Sequence, residues 1–158
     1  MRIRPARPEE AELLSALALR SKAHWGYDEA FLAACRDELT LDADGIERQR
    51  TMVVEEPVAA GDSRVLGFAT LVGAPPQGEL GMLFVEPDTI GRGVGGRLFQ
   101  HLREQAVALG FHRLTIDADP NAEPFYLAMG ATRIGVTPSG SIPGRELPLL
   151  ALDLGPAV

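Results

Sequence analysis

Residues Leu80–Leu98 read LGMLFVEPDTIGRGVGGRL, and the fold is decided by how this stretch is read. An apolar run of Leu80, Met82, Leu83, Phe84 and Val85 breaks at Pro87. Gly91, Gly93, Gly95 and Gly96 follow, and an amphipathic segment begins behind them. The pattern predicts a strand, a tight loop and a helix start. Backbone N–H groups of such a loop converge on an anion at the helix N-terminus, where the helix dipole adds to the attraction. Glycine suits these positions because a Cβ would hold the anion away from the backbone. The expectation is a phosphate-bearing ligand at Gly91–Gly96. A flexible glycine turn joining strand to helix is the alternative.

Downstream, Gly93 to Leu109 forms the clearest helix, with Val94, Leu98, Leu102, Ala106 and Leu109 on one face and Gly110 as its stop. Leu114 to Ala118 is a strand, so strand, helix and strand form one βαβ unit with a parallel pair. Asn121 to Met129 is a short helix closed by Gly130, and Thr132–Val136 and Leu147–Leu154 are strands. Upstream, Arg2–Pro5 is a strand and a first helix runs from Pro8 to about Lys22. Asp28 caps a second helix that carries Phe31, Cys35 and Leu39. The polar segment Thr40–Arg50 is expected as a loop, and its Asp42 and Asp44 lack the later glutamate of a calcium loop. Thr51–Glu55 and Val65–Val72 form a hairpin that leads into the strand Glu79–Val85.

The chain has 158 residues, of which 46% are hydrophobic, enough for one core. No apolar run is long enough to span a bilayer, and MRIRPARPEE has no signal-peptide core, so a cytoplasmic location is expected. The lone Cys35 excludes an internal disulfide and a cysteine-based metal cluster. His24, His101 and His112 lack metal-ligand spacing, so no metal is expected. A formal net charge of −7 argues against nucleic acid and favours a neutral or cationic ligand beside any locally bound anion. Gly91, Gly93 and Gly96 also fit a dinucleotide fingerprint, with Asp117 beyond it. That reading fails because a dinucleotide domain needs several βαβ units.

The loop Ile90-Gly91-Arg92-Gly93-Val94-Gly95 and the later set Asn121, Phe125, Tyr126 and Gly130 together resemble the GNAT superfamily of N-acetyltransferases, over essentially the whole chain. Ile90 stands where that family usually has Gln or Arg. The resemblance implies an α+β (mixed α/β) fold in one domain over residues 1–158. It implies a twisted mixed sheet of about six to seven strands and about four helices. Two adjacent parallel strands, Glu79–Val85 and Leu114–Ala118, would splay apart. It also implies acetyl-coenzyme A as co-substrate and a primary amine of a small molecule or peptide as acceptor, which attacks the thioester directly. A non-catalytic acyl-coenzyme A sensor or scaffold is the other reading. The family leaves a homodimer open, and no membrane partner is implied.

The same resemblance distributes the roles. The loop residues Ile90, Gly91, Arg92, Gly93, Val94, Gly95 and Gly96 would take the pyrophosphate. The backbone of Leu83, Phe84 and Val85 would pair with the pantetheine arm, and Asn121 would orient cofactor amides. Glu79 is the candidate general base, and strand alternation sets it on the face of Gly81, Leu83 and Val85. A solvated strand-end carboxylate is the plainer reading of the same residue. Tyr126 is the candidate proton donor to the leaving thiolate, with a core aromatic as the alternative. His24, Trp25 and Tyr27, with Arg145 of the last hairpin loop, are the candidate acceptor residues. A satellite hydrophobic cluster and a surface ion pair are the competing explanations.

Overall fold

Val53 and Val54 are neighbours in sequence, yet their side chains enter different cores. Phe68 and Ala69 divide in the same way. Successive side chains on a strand point to opposite faces, so both residue pairs belong to a sheet covered on its two sides. In the computed structural model, which describes residues 1–155, that sheet has seven strands. Residues 156–158, the end of the expected domain, lie outside the described residues.

The strands are β1 (Arg2–Pro5), β2 (Met52–Pro57), β3 (Ser63–Ala74), β4 (Gln77–Val85), β5 (Arg113–Asp117), β6 (Thr132–Pro138) and β7 (Glu146–Asp153). Their order in space is β1-β2-β3-β4-β5-β7-β6, and only β4 and β5 run parallel. The helices are α1 (Ala11–Ala23), α2 (Glu29–Cys35), α3 (Ala43–Arg48), α4 (Val94–Leu109) and α5 (Glu123–Ala128). Helix α4 packs Val94, Leu98, Phe99, Leu102 and Ala106 against Val54, Leu66, Ala69, Leu71 and Leu80. On the other face, Leu14, Leu17 and Ala18 of α1, Cys35 of α2 and Ile46 of α3 cover Val53 and Phe68. Burying a side chain of this size contributes about 1.5–3 kcal/mol. The strong period of α4 is therefore a direct record of its buried face.

Three expectations are corrected. Residues 40–50 are not all loop, because α3 occupies Ala43–Arg48 and brings the helices to five. Its start is fixed by Asp42, whose Oδ1 accepts from the Gly45 N–H at 2.6 Å. One buried isoleucine and a cap carry too little periodicity to be seen in a polar segment. Asp42→Ala should cost about 1 kcal/mol. It should lower the urea midpoint without changing the slope; an unmoved midpoint would show that the cap adds nothing. The first helix also begins differently, since Pro8–Glu10 is a single 3-10 turn ahead of α1.

The third correction lies at the centre of β4. Thr70 pairs with Met82, but Leu71 pairs with Leu80, so Gly81 is an extra residue on β4. Thr70 Oγ1 accepts the Met82 N–H at 2.8 Å, which satisfies the group that the bulge displaces. A Cβ on Gly81 would stand 2.7 Å from Thr70 Oγ1 and 2.9 Å from Val72 Cγ2, so only glycine fits. The bulge shifts the phase of alternation. Leu80, Leu83 and Val85 face α4, whereas Met82 and Phe84 face α1. Glu79, one step before Leu80 and paired with Val72, therefore shares the face of Met82 and Phe84 rather than that of Leu83 and Val85.

Pairing between β4 and β5 covers only Gln77–Arg113, Gly78–Leu114 and Glu79–Thr115. Past that point β4 continues along β3 to the Val85–Gly67 pair, while β5 follows β7 to the Asp117–Leu149 pair. The parallel strands thus splay from Glu79 onward, and the edge of β4 that faces β5 has no strand partner there.

Candidate active site

A cavity of about 640 Å³ opens where the strands diverge. Its size suits a ligand cleft. Residues Glu79–Val85 of β4 form one wall, Ile116, Asp117, Asp119, Asn121, Phe125 and Tyr126 the opposite one, and the glycine loop one end.

The loop begins with a 3-10 turn at Pro87–Thr89, where Thr89 Oγ1 donates to the Glu86 carbonyl at 2.7 Å. Gly93 then adopts φ +81°, a left-handed conformation that strains any other residue, and it is the N-cap of α4. No side chain caps that end. The first-turn N–H groups of Val94, Gly95 and Gly96 are therefore left for a ligand. Among the described residues, nothing beyond the local backbone stands within 4 Å of where a Cβ would project from Gly91, Gly93 or Gly96. Ile90, Gly91, Gly93, Val94, Gly95 and Gly96 all line the cavity. Arg92 does not, because its guanidinium pairs with Glu56 at 2.5 Å.

Glu79 is half-buried, and burial followed by the charge of Asp117 raises its pKa above the ordinary glutamate value. The other half-buried or buried carboxylates among the described residues all have a cation. Glu10 pairs with Arg4, Glu55 with Arg2 and Arg4, Glu56 with Arg92, Glu86 with Arg20 and Arg64, Asp119 with Lys22, and Glu123 with Arg133. Among the described residues, Glu79 alone of this class has none. Tyr126 lies across the cavity with 6% of its surface exposed and packs against Phe99 and Phe125. Burial, reinforced by the negative charge of Asp119, keeps its phenol protonated well above the usual tyrosine range.

The remaining candidates separate into two groups. His24 and Trp25 stand edge to face, with ring centroids 5.2 Å apart, and both line the cavity. Tyr27 and Arg145 instead join a polar network centred on Asp119. The Tyr27 hydroxyl donates to Asp119 Oδ2 at 2.9 Å and accepts from Arg145 Nη2 at 2.8 Å. Asn121 Nδ2 donates to the Tyr27 hydroxyl at 3.1 Å and to Asp119 Oδ1 at 3.0 Å. Lys22 Nζ lies 2.7 Å from Asp119, and the Asn121 backbone N–H donates to it at 2.8 Å. Burial pushes the Asp119 pKa up, but the hydrogen bonds from Lys22 and the Asn121 N–H outweigh it and hold the group ionised. The Arg145 guanidinium also lies over Tyr27 and Phe31, whose rings stack 4.0 Å apart. Both Nδ2 protons of Asn121 are thus engaged, and its Oδ1 remains an acceptor at the cavity wall.

Sequence reasoning did not assign Lys22, Glu38, Asp117 or Asp119 to this cavity, yet all four line it. The alternating acids of LTIDAD, at the end of a splaying strand, are the signal that could have found Asp117 and Asp119. Glu38 has no local signature, because its place depends on how α2 packs.

A sequence profile of the Acetyltransferase (GNAT) family matches residues 16–131. An amino-acid acetyltransferase from Ralstonia nicotianae is 36% identical over 98 residues, which is 57% of this chain and only 22% of that protein. A GCN5-related N-acetyltransferase from Rhodopseudomonas palustris superposes with a TM-score of 0.73 at 27% identity, covering 96% of this chain and 94% of that one. The PaiA N-acetyltransferase from Thermoplasma acidophilum, solved with coenzyme A, superposes at 0.74 with 16% identity, over 96% and 98% of the chains, a likeness of fold. The matched residues run from α1 through the glycine loop and both splayed strands to the turn after α5, so sequence and fold agree that the chain belongs to the GNAT family of acetyltransferases.

Proposed function

We propose that this protein transfers the acetyl group of acetyl-coenzyme A to a primary amine. The observation that carries this is Glu79, a half-buried carboxylate that has no cation partner among the described residues and stands where β4 and β5 part. The cavity fits the co-substrate. The uncapped first turn of α4 can receive a pyrophosphate, with open space where side chains would otherwise crowd it. The free edge of β4 at Leu83, Phe84 and Val85 can pair with the amides of an extended arm. Asn121 Oδ1 can accept from one of those amides. When bound, the co-substrate supplies an acyl group activated as a thioester.

The chain's own groups then handle protons. An amine attacks only when neutral, and ionised Glu79 accepts the proton that its ammonium form must lose, directly or through water. The N–C bond forms, the C–S bond breaks, and the second amine proton ends on the departing sulfur. Tyr126 donates a hydrogen bond to that sulfur. Its raised pKa makes it a weak acid, so it stabilises the thiolate without giving up its proton. His24 and Trp25 border the acceptor.

Thiol release from acetyl-coenzyme A with a broad panel of amines tests this reading. Tight coenzyme A binding with no release from any amine would make the protein a binder instead. Tyr126→Phe should lower kcat about tenfold, the scale of one hydrogen bond to a charged group, with coenzyme A affinity unchanged. Wild-type kcat in that variant removes Tyr126 from the reaction. Among the described residues, no helix is long and apolar enough to cross a membrane.

A further inference from the structure

A side-chain amide can turn either its oxygen or its NH2 group toward a ligand, and its neighbours decide which. Asn121 Nδ2 has two such neighbours, Asp119 Oδ1 at 3.0 Å and the Tyr27 hydroxyl at 3.1 Å. Both act as acceptors toward it. Burial raises the Asp119 pKa, but Lys22 Nζ at 2.7 Å and the Asn121 backbone N–H at 2.8 Å bring it below the ordinary aspartate value. The ionised carboxylate has no proton to give. The Tyr27 hydroxyl has one proton and two lone pairs. Its proton goes to Asp119 Oδ2 at 2.9 Å, and one lone pair takes Arg145 Nη2 at 2.8 Å. Only a lone pair is left for Asn121. The reversed amide would set Oδ1 against a carboxylate and a lone pair, and its NH2 group would face the cavity. Proton accounting thus fixes the orientation, with Oδ1 outward. Among the described residues, nothing donates to that oxygen.

Asp119 is itself held from near and far. Its carbonyl accepts the Ala122 N–H at 2.8 Å, where the chain turns into α5. Lys22 reaches it from α1, Tyr27 from the link between α1 and α2, and Arg145 from the β6–β7 loop. Its side chain keeps 11% of its surface exposed. Its oxygens are occupied by Lys22, Tyr27 and Asn121, so any effect on a ligand passes through Asn121.

We propose that Asp119 is the positioning residue of the co-substrate site, holding the Asn121 amide so that its Oδ1 accepts from an N–H of the pantetheine arm. This rests on the reading of Asn121 as a contact of that arm and deepens it by naming the group that orients it. Without the carboxylate, nothing forbids the reversed amide, which would meet the arm's N–H with another donor.

The test measures two probes by calorimetry on the full chain, coenzyme A and adenosine 3′-phosphate 5′-diphosphate. Both carry the pyrophosphate, and only coenzyme A carries the arm. In Asp119→Ala the affinity for coenzyme A should fall about fivefold, the scale of one neutral hydrogen bond, while the nucleotide binds as it does to the wild type. Asn121→Ala should show a similar loss. The double variant should bind no more weakly than Asn121→Ala alone, because Asp119 acts through a group already removed. Tyr27→Phe keeps the carboxylate and removes one acceptor of Nδ2. Its loss should be smaller, confined to coenzyme A, and absent when residue 121 is alanine. It carries the test if Asp119→Ala does not fold. Equal losses for both probes make the network a structural tie and overturn the proposal, as do losses that add in the double variant. Wild-type affinity for coenzyme A in Asp119→Ala or, where that variant does not fold, in Tyr27→Phe overturns it as well. Wild-type affinity in Asn121→Ala overturns the arm contact together with this inference, whereas acetyl transfer itself stands or falls on thiol release.

Discussion

Glu79→Gln should lower kcat/KM for any amine by about 100-fold or more near neutral pH, the lower range for loss of a positioned general base. The pH profile gives the sharper result. Burial and the charge of Asp117 raise the Glu79 pKa, and only the ionised form accepts a proton. Wild-type activity should therefore decline as pH falls through that raised value, and the variant should lack this limb. The gap between the two enzymes should be widest above it and narrow below it. A profile of the same shape in both would remove Glu79 from the mechanism. Stability should move the opposite way. A carboxyl whose folded-state pKa is raised stabilises the fold when protonated, below the unfolded pKa of about 4.3, and loses that contribution as pH rises through the folded value. Glutamine carries no charge at any pH. The thermal midpoint of the variant should then rise above that of the wild type as pH goes from acid to neutral, while activity is lost. A gain in stability with a loss of rate marks a group held for chemistry rather than for the fold.

Gly93→Val should weaken coenzyme A binding by about 10- to 100-fold, measured by calorimetry. Two effects combine. A β-branched residue at φ +81° is strained by about 1–2 kcal/mol, so the loop tends to leave its conformation. Its Cβ also projects into the space above the first turn of α4, where, apart from its own chain neighbours, none of the described residues comes within 4 Å. Gly61→Val supplies the control. Gly61 has φ +78° and equally open surroundings, but it lies in the β2–β3 turn and does not line this cavity. It should show comparable strain in its thermal midpoint and unchanged coenzyme A affinity. Equal affinity in the wild type and Gly93→Val would remove the glycine loop as the phosphate cradle.

The sequence and the structure agree most closely where a local pattern reports a local cause. Helix α4 was legible because five of its residues are buried on one side. Its two ends were legible because Gly93 and Gly110 both take left-handed backbone conformations. Asp28 was recognisable as a cap, and its Oδ1 accepts the Phe31 N–H at 2.8 Å. Helix α3 was missed because its stability comes from Asp42 and from contact with the rest of the α1 side, not from a long apolar stripe. The face of Glu79 was misread because period-two counting holds only for an unbroken ladder. The bulge at Gly81 is a property of the β3–β4 pairing and has no separate mark in the spacing of apolar residues.

The same division runs through the site. The residues of the loop and of the Asn121–Gly130 segment are close in sequence, so the chain alone showed a glycine loop at a helix start and a short aromatic helix, and with them the family. Only tertiary structure decided which distant side chains share the cavity. It turned Arg92 to Glu56 and drew Tyr27 and Arg145 into the Asp119 network. It also brought Glu38, Glu79 and Asp117 to one cavity from three distant segments. Backbone geometry follows from neighbours along the chain, whereas the charge of a cavity is the sum over residues that meet only when the sheet splays and the helices close over it.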